Sequence, residues 1–118
     1  MGQGFGSTVD FLPFFDSYSA NVLELDIEAL GVSGVIQMAD AAFGLELPVV
    51  LSAATGHAAV QVAGAIPSLS SVEVHDAITH PDEYSTDVTF DQGHAICGTA
   101  PGFGLTVDRR NWKTVAEI

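Results

Sequence analysis

Three short apolar segments of the chain each end in, or contain, a polar side chain that could do chemistry. The polar residues are Asp26 in segment 22–26, Ser52 in segment 49–52, and Glu73 in segment 71–74. A carboxylate can accept a hydrogen bond or transfer a proton. A hydroxyl can both accept and donate a hydrogen bond. If the three segments are neighbouring parallel strands, their carboxyl ends lie at one edge of a sheet, and these side chains share one rim.

The spacing of the segments predicts repeated β/α units. Helical patterns separate the three apolar runs, and parallel strands need such crossover helices. A complete eight-fold barrel takes about 250 residues, whereas this chain has 118. We therefore predict an α/β fold: a partial barrel comprising about the last three β/α units in residues 1–75. Residues 76–118 are predicted to form a short β-rich tail that packs on the barrel or on a capping domain.

The elements between the strands have their own signals. Aromatic residues at positions 11, 14, 15 and 18 predict a helix with one aromatic face, with Pro13 in its first turn. Residues 29–34 are expected to form a loop before a helix over 35–43 that stops at Gly44. Thr55 is a candidate cap for a helix whose apolar stripe is formed by residues 59, 60, 63 and 66. In the tail, residues 91–94 predict a hairpin turn and 104–108 a further strand.

Composition excludes several classes of function. The chain has 15 acidic and three basic residues, all three bases lie in its last ten positions, and the net charge is −12. Nucleic-acid binding and binding to anionic membranes both need clustered Lys and Arg. We interpret the charge as a solubilising acidic surface, with an acidic docking face for a basic partner as the alternative. The lone Cys97 predicts no disulfide framework, and without a membrane-length apolar run the cytoplasm is the expected location.

Several motifs, in their order along the chain, resemble a known family. They are residues 1–4 (MGQG), Leu25-Asp26 with 31–34 (GVSG), Gly44 with Pro48, residues 63–67 with Glu73, and 98–104 (GTAPGFG). This succession resembles the C-terminal part of the mandelate racemase and muconate lactonizing branch of the enolase superfamily. The resemblance covers most of the chain, from the end of barrel strand five through strand eight and the closing tail.

The resemblance implies a chemistry and a cofactor. Family members abstract a proton next to a carboxylate and stabilise the enediolate on Mg²⁺, which acidic ends of strands three, four and five bind. Gln3 falls where the family has the third, glutamate ligand, and a neutral amide is a poorer ligand for a hard cation. The alternative is that Gln3 is simply a polar residue in a glycine-rich terminus.

The resemblance also assigns roles at the rim. Asp26 matches the strand-six aspartate that orients a histidine base, and Glu73 matches the strand-eight glutamate that donates a hydrogen bond to the substrate carboxylate when protonated. We assign both as catalytic. The histidine position falls at Ser52 or Ala53, which we place on the substrate-binding side, because neither replaces an imidazole. A strand-six lysine would fall near Ala29, so this segment lacks either base of the family.

The histidines offer little in compensation. His75 shares the side of Glu73 by alternation, yet a rim or packing histidine is the plainer interpretation. His57 stands where a helix is predicted to start and is more simply a solvated side chain. His80, His94 and Cys97 lack the paired spacing of a zinc site.

Two hypotheses remain open. In the first, the chain is a fragment or subunit of a Mg²⁺-dependent racemase or dehydratase acting on a 2-hydroxy acid or acid sugar, inactive until another chain supplies the rest of the barrel. In the second, it is a non-catalytic remnant that serves as an assembly or interaction module. Exposed edges of a partial parallel sheet predict association with that other chain or with copies of itself.

Overall fold

The computed structural model describes residues 1–53, 57–74 and 84–107. Thr55, His75, His80 and the three basic residues lie outside these ranges. None of the helices in the described ranges is both long and apolar enough to cross a membrane. The division into a barrel segment and a tail at residue 75 stays a prediction.

A three-stranded parallel sheet forms the centre of the fold. Its strands are β1 (Leu23–Asp26), β2 (Val49–Ala53) and β3 (Leu69–Val74), in the order β1-β2-β3. The three predicted strands and their parallel direction are therefore confirmed. The described strands make an open sheet, and they do not by themselves close a barrel.

The aromatic segment near the amino terminus folds as two short helices. A 3-10 helix covers Thr8–Phe11 and is followed by α1 (Leu12–Asp16), with Pro13 in its first turn as predicted. Ser7 and Asp10 form a capping box at the start of the 3-10 helix. The predicted aromatic face ends early, because Tyr18 lies beyond the helix with a positive φ and is 83% exposed. Phe11 is fully buried and makes an edge-to-face contact with Phe5.

The predicted loop at residues 29–34 is wrong, because the crossover helix α2 (Ile27–Gly44) already begins before it. The helix begins directly after β1 because the Asp26 side chain caps it, so no loop is needed. Gly31, with φ 67° and ψ 169°, is not helical and forms a kink that divides α2 into a short helical turn before it and a longer helical segment after it. Such a backbone favours glycine, which explains why the same residue looked like a loop signal. The predicted stop at Gly44 is confirmed.

The second crossover helix, α3 (His57–Ala63), returns the chain from β2 to β3. The predicted apolar stripe is buried at all four positions, namely Ala59, Val60, Ala63 and Ile66. Small residues let α3 lie close to the sheet. Leu23, Leu25, Val35, Val49 and Leu51 are fully buried between the sheet and the helices, and they form the centre of the core.

The tail contains two antiparallel ribbons. Strands β5 (Thr89–Asp91) and β6 (His94–Ile96) form the predicted hairpin, whose turn residues Gln92 and Gly93 both have positive φ. The predicted last strand is β7 (Leu105–Val107). It pairs with β4 (Tyr84–Thr86), a strand that the polar sequence did not indicate.

Candidate functional site

Asp26, Ser52 and Glu73 lie in one row across the parallel sheet. The register places Asp26 opposite Ser52 and Ser52 opposite Glu73. Neighbouring strands lie about 4.8 Å apart, so the three residues occupy adjacent positions at the carboxyl ends of their strands. The predicted shared rim is therefore confirmed as a backbone arrangement. We call these three residues the rim row.

The rim row lies on the face of the sheet opposite the helices. On β1, Leu23 and Leu25 are fully buried in the core, so by alternation Glu24 and Asp26 lie on the other face. On β2, Val49 and Leu51 belong to the core in the same way, and Ser52 belongs to the other face. Ser52 is nevertheless only 4% exposed.

The carboxylate of Asp26 has a structural task at the rim. Its Oδ1 accepts hydrogen bonds from the backbone N–H groups of Glu28, at 2.8 Å, and Ala29, at 3.3 Å. These groups are otherwise unpaired at a helix start, and the positive end of the helix dipole favours a carboxylate there. The contacts fix the side chain relative to β1. The sequence did not indicate this cap, because a loop was expected at that place.

Glu73 and Ala53 complete the predicted set at the rim. Glu73 is half-buried in β3 opposite Ser52, and Ala53 is the last residue of β2, opposite Val74. Glu24 is a residue that the sequence reasoning missed. It is half-buried on the same face as Asp26, two residues earlier, and strict alternation along β1 would have identified it.

Gln3 approaches the sheet from the other edge of β1. The Leu23 N–H bonds to Pro48 O on the β2 side, whereas the Glu24 N–H bonds to Met1 O at 2.8 Å on the opposite side. The Met1 amine also donates to Val22 O at 3.0 Å. Residues 1–3 therefore run along the free edge of β1, and Gln3 is exposed there.

Gly2 makes this close approach feasible. It is buried and has φ +129°, a conformation that L side chains rarely adopt. A Cβ at this position would clash with Glu24 O and would lie 2.8 Å from the Phe11 ring. The glycine is thus required by both space and backbone geometry.

The described residues do not fit a magnesium site. Within them, no group of three or more His, Cys, Asp or Glu side chains could hold a metal ion. Gln3 offers one neutral oxygen, whereas Mg²⁺ prefers octahedral oxygen coordination that includes carboxylates. Any magnesium bound near this rim needs ligands from outside the described residues.

The charged residues on this face of the sheet are acidic. Glu24, Asp26 and Glu73 lie on it, and the chain has no Lys or Arg before position 109. Any Lys or Arg side chain that acts at the rim must come from the last ten residues or from outside this sequence.

Comparison with known proteins agrees with this fold. A family model described as "Enolase C-terminal domain-like" matches residues 1–111. A proposed isomerase from Sinorhizobium meliloti, in an open-loop conformation, has a TM-score of 0.81 at 17% identity and matches 92% of this chain. A proposed L-alanine-DL-glutamate epimerase from Burkholderia xenovorans, bound to magnesium and fumarate, has a TM-score of 0.76 at 22% identity and matches 87% of it.

These matches extend over a minor part of the solved structures. The chain spans 30% of the Sinorhizobium protein and 27% of the Burkholderia protein. No curated protein matches the chain at a significant level. The likeness at these identities concerns the fold, namely the parallel β/α arrangement that carries the rim row.

Proposed function

We propose that this chain, which belongs to the enolase C-terminal domain-like family, forms one part of the active-site rim of an isomerase-type barrel. The substrate would be a carboxylate, such as a 2-hydroxy acid or an acid sugar, undergoing racemisation or dehydration through an enediolate. The rest of the barrel, including its metal ligands and base, would come from residues outside this sequence. On its own this chain would be inactive.

The rim row is the observation that supports the proposal most. The Asp26, Ser52 and Glu73 positions are adjacent at the carboxyl ends of three parallel strands, and β/α enzymes place their reacting groups there. Register alone brings together residues that are far apart in sequence.

Each residue of the row has a role in this proposal. Glu73 donates a hydrogen bond to a substrate carboxylate, the role that the resemblance implies for this position, at a rim that a partner shields from water. Ser52 lines the substrate next to Glu73, with its hydroxyl available to a substrate oxygen, and Ala53 ends β2 at the same edge, where its backbone borders the substrate. Asp26, held by two N–H groups of α2, stabilises the rim and presents its second oxygen.

A non-catalytic role is the second candidate, and specific residues favour it. The resemblance implies that Gln3 takes the family's carboxylate ligand position and that Ser52 or Ala53 takes the histidine position. Asp26, which would orient that histidine, instead caps α2. In this candidate the rim row persists because it stabilises the fold, and the open sheet serves as an assembly surface.

Native mass spectrometry of the protein purified from its own source, with Mg²⁺ present, tests the two candidates. The enzyme proposal expects recovery together with about 200 to 300 further residues that complete the barrel, in the same polypeptide or in a bound partner. Recovery alone or as a homo-oligomer, with no bound metal, would overturn it and support the assembly role.

Exchange of the substrate α-proton for deuterium then tests the chemistry. We would follow 2-hydroxy acids, acid sugars and L-alanyl-glutamate by NMR in D₂O with the purified complex. Glu73→Ala is expected to slow exchange about 100-fold, and Glu73→Gln to recover part of it, because an amide also donates. Asp40→Ala, on the exposed side of α2, is the matched control. Equal rates for Glu73→Ala and Asp40→Ala would remove Glu73 from the mechanism.

A further inference from the structure

A concave site lies at the end of the sheet opposite the rim row. Its volume is about 560 Å³, and its described lining residues are Phe43, Gly44, Glu46, Leu47, Pro48 and Ser68. Pro48 and Ser68 directly precede β2 and β3, so the cavity opens at the amino ends of these strands. Ser52 lies four residues after Pro48, which is about 13 Å of extended strand. The two sites are therefore separate.

The size and lining of this cavity suit a small molecule. Pockets that bind such molecules usually measure 300–1,000 Å³ and have apolar walls with few polar groups. Here Phe43, Leu47 and Pro48 supply the apolar wall. Phe43 is 58% exposed, so its ring is accessible to a ligand.

The ionisable side chain, the helix dipole and the aromatic ring at the cavity all favour positive charge. Glu46 is the one ionisable residue among the described lining residues. The carboxyl end of α2, which is the negative end of its dipole, lies at the same place, since the helix ends at Gly44. The face of an aromatic ring also attracts cations. No Lys or Arg occurs before position 109 to bind an anion.

The backbone holds Glu46 in a defined position. Its φ is +57°, a left-handed conformation that is uncommon for a residue other than glycine. Its N–H bonds to Phe43 O at 3.1 Å, and the neighbouring Leu47 N–H bonds to Ala42 O at 2.9 Å. The turn after α2 thus places a carboxylate and an exposed aromatic ring three residues apart on one wall.

We propose that this cavity binds a small soluble organic cation, an alkylated ammonium whose apolar body lies against Phe43, Leu47 and Pro48 and whose charge lies near Glu46. The site is independent of the rim row and of the function proposed for it. It adds to the chain a binding activity for cations of low molecular mass.

Two matched probes test the proposal: choline, and its uncharged isostere in which a tert-butyl group replaces the trimethylammonium group. Binding to the full chain is followed by NMR shifts of the Glu46 and Leu47 amides. Choline is expected to bind saturably and more tightly than the isostere. Glu46→Gln should weaken choline about three- to tenfold and leave the isostere unchanged. Phe43→Leu, which keeps an apolar wall, should weaken choline similarly.

Asp40→Asn is the control, because Asp40 is an exposed carboxylate of α2 outside the lining. Equal affinity for the two probes, equal effects of Glu46→Gln and Asp40→Asn, or no saturable shift with choline would each overturn the proposal. Association of the chain with phosphatidylcholine vesicles through Glu46 would overturn the assignment to a soluble cation.

Discussion

Replacing Gly104 with alanine should open the turn that joins the two ribbons of the tail. Asp87, at the end of β4, is the centre of this turn. Its Oδ2 accepts the Ala100 N–H at 2.8 Å, and its own N–H donates to Gly104 O at 3.1 Å. Gly104 is buried with φ +66°, and a Cβ there would clash with the Asp87 carboxylate. We expect the carboxylate to be displaced and its bond to Ala100 to be lost.

Gly102 provides a closely matched control for this substitution. Its φ is +67°, and a Cβ there would meet no atom within 4 Å. Gly102→Ala therefore introduces the left-handed backbone strain alone, about 1 kcal/mol. Gly104→Ala adds the loss of a hydrogen bond to a charged acceptor, about 2 kcal/mol. The effect of alanine on the unfolded chain is the same in both variants and cancels.

Amide hydrogen exchange at Ala100 measures the difference locally. A difference of about 2 kcal/mol corresponds to about 30-fold faster exchange in Gly104→Ala than in Gly102→Ala. In an Asp87→Ala background the carboxylate that a Cβ at position 104 would meet is absent. The exchange rate of the Ala100 amide should then be the same with Gly104→Ala as with Gly102→Ala. Equal exchange in the two single variants, or no coupling to Asp87, would refute the reasoning.

Three further predictions concern the sheet and its helices. Asp26→Ala should lower the free energy of unfolding, measured by urea titration, by about 1 kcal/mol. Asp26→Asn should keep it within a few tenths of a kcal/mol of the unsubstituted chain, because asparagine also caps helices. Equal losses in the two variants would show that the cap is unimportant. Gly2→Ala should remove the exchange protection of the Glu24 amide by displacing Met1 from β1, whereas Gly4→Ala, at a site with positive φ and open space, should leave that protection intact. Phe11→Ala should destabilise the chain by about 3 to 5 kcal/mol in the same urea titration, since Phe11 is fully buried; a loss below about 1 kcal/mol would contradict its place in the core.

The parallel sheet was predictable because its signals are local. Apolar runs of four to six residues define β1, β2 and β3, and the helical patterns between them require parallel pairing. The hairpin turn at Gln92 and Gly93 was predictable for the same reason, since positive φ at two central residues needs Gly and tolerates a polar neighbour. At these strands and at this turn, the residues that signal the element in the sequence are also the residues that its backbone requires, and the predictions are confirmed.

The start of α2 was wrong because two local signals conflicted. Gly31 indicated a loop, but Asp26 caps a helical turn directly after β1, and Gly31 forms a kink between this turn and the longer segment of α2. Strand β4 was missed because its residues are polar and its partner β7 lies about 20 residues later. Such pairing depends on contacts distant in sequence, here those around Asp87, which no window of neighbouring residues contains.

The rim row shows how the site depends on the crossover helices. Register decides which residues share a row, and a shift of one residue would move Asp26 or Glu73 to the core face. At β1 the cap of α2 by Asp26 joins the helix start to the last residue of the strand, so the helix cannot move along the sheet without losing its cap. The residue proposed to present a carboxylate at the rim thus also stabilises the position of the helix behind it. Asp26→Asn would keep the cap and remove the charge, and it can therefore separate the structural role of this residue from any chemical one.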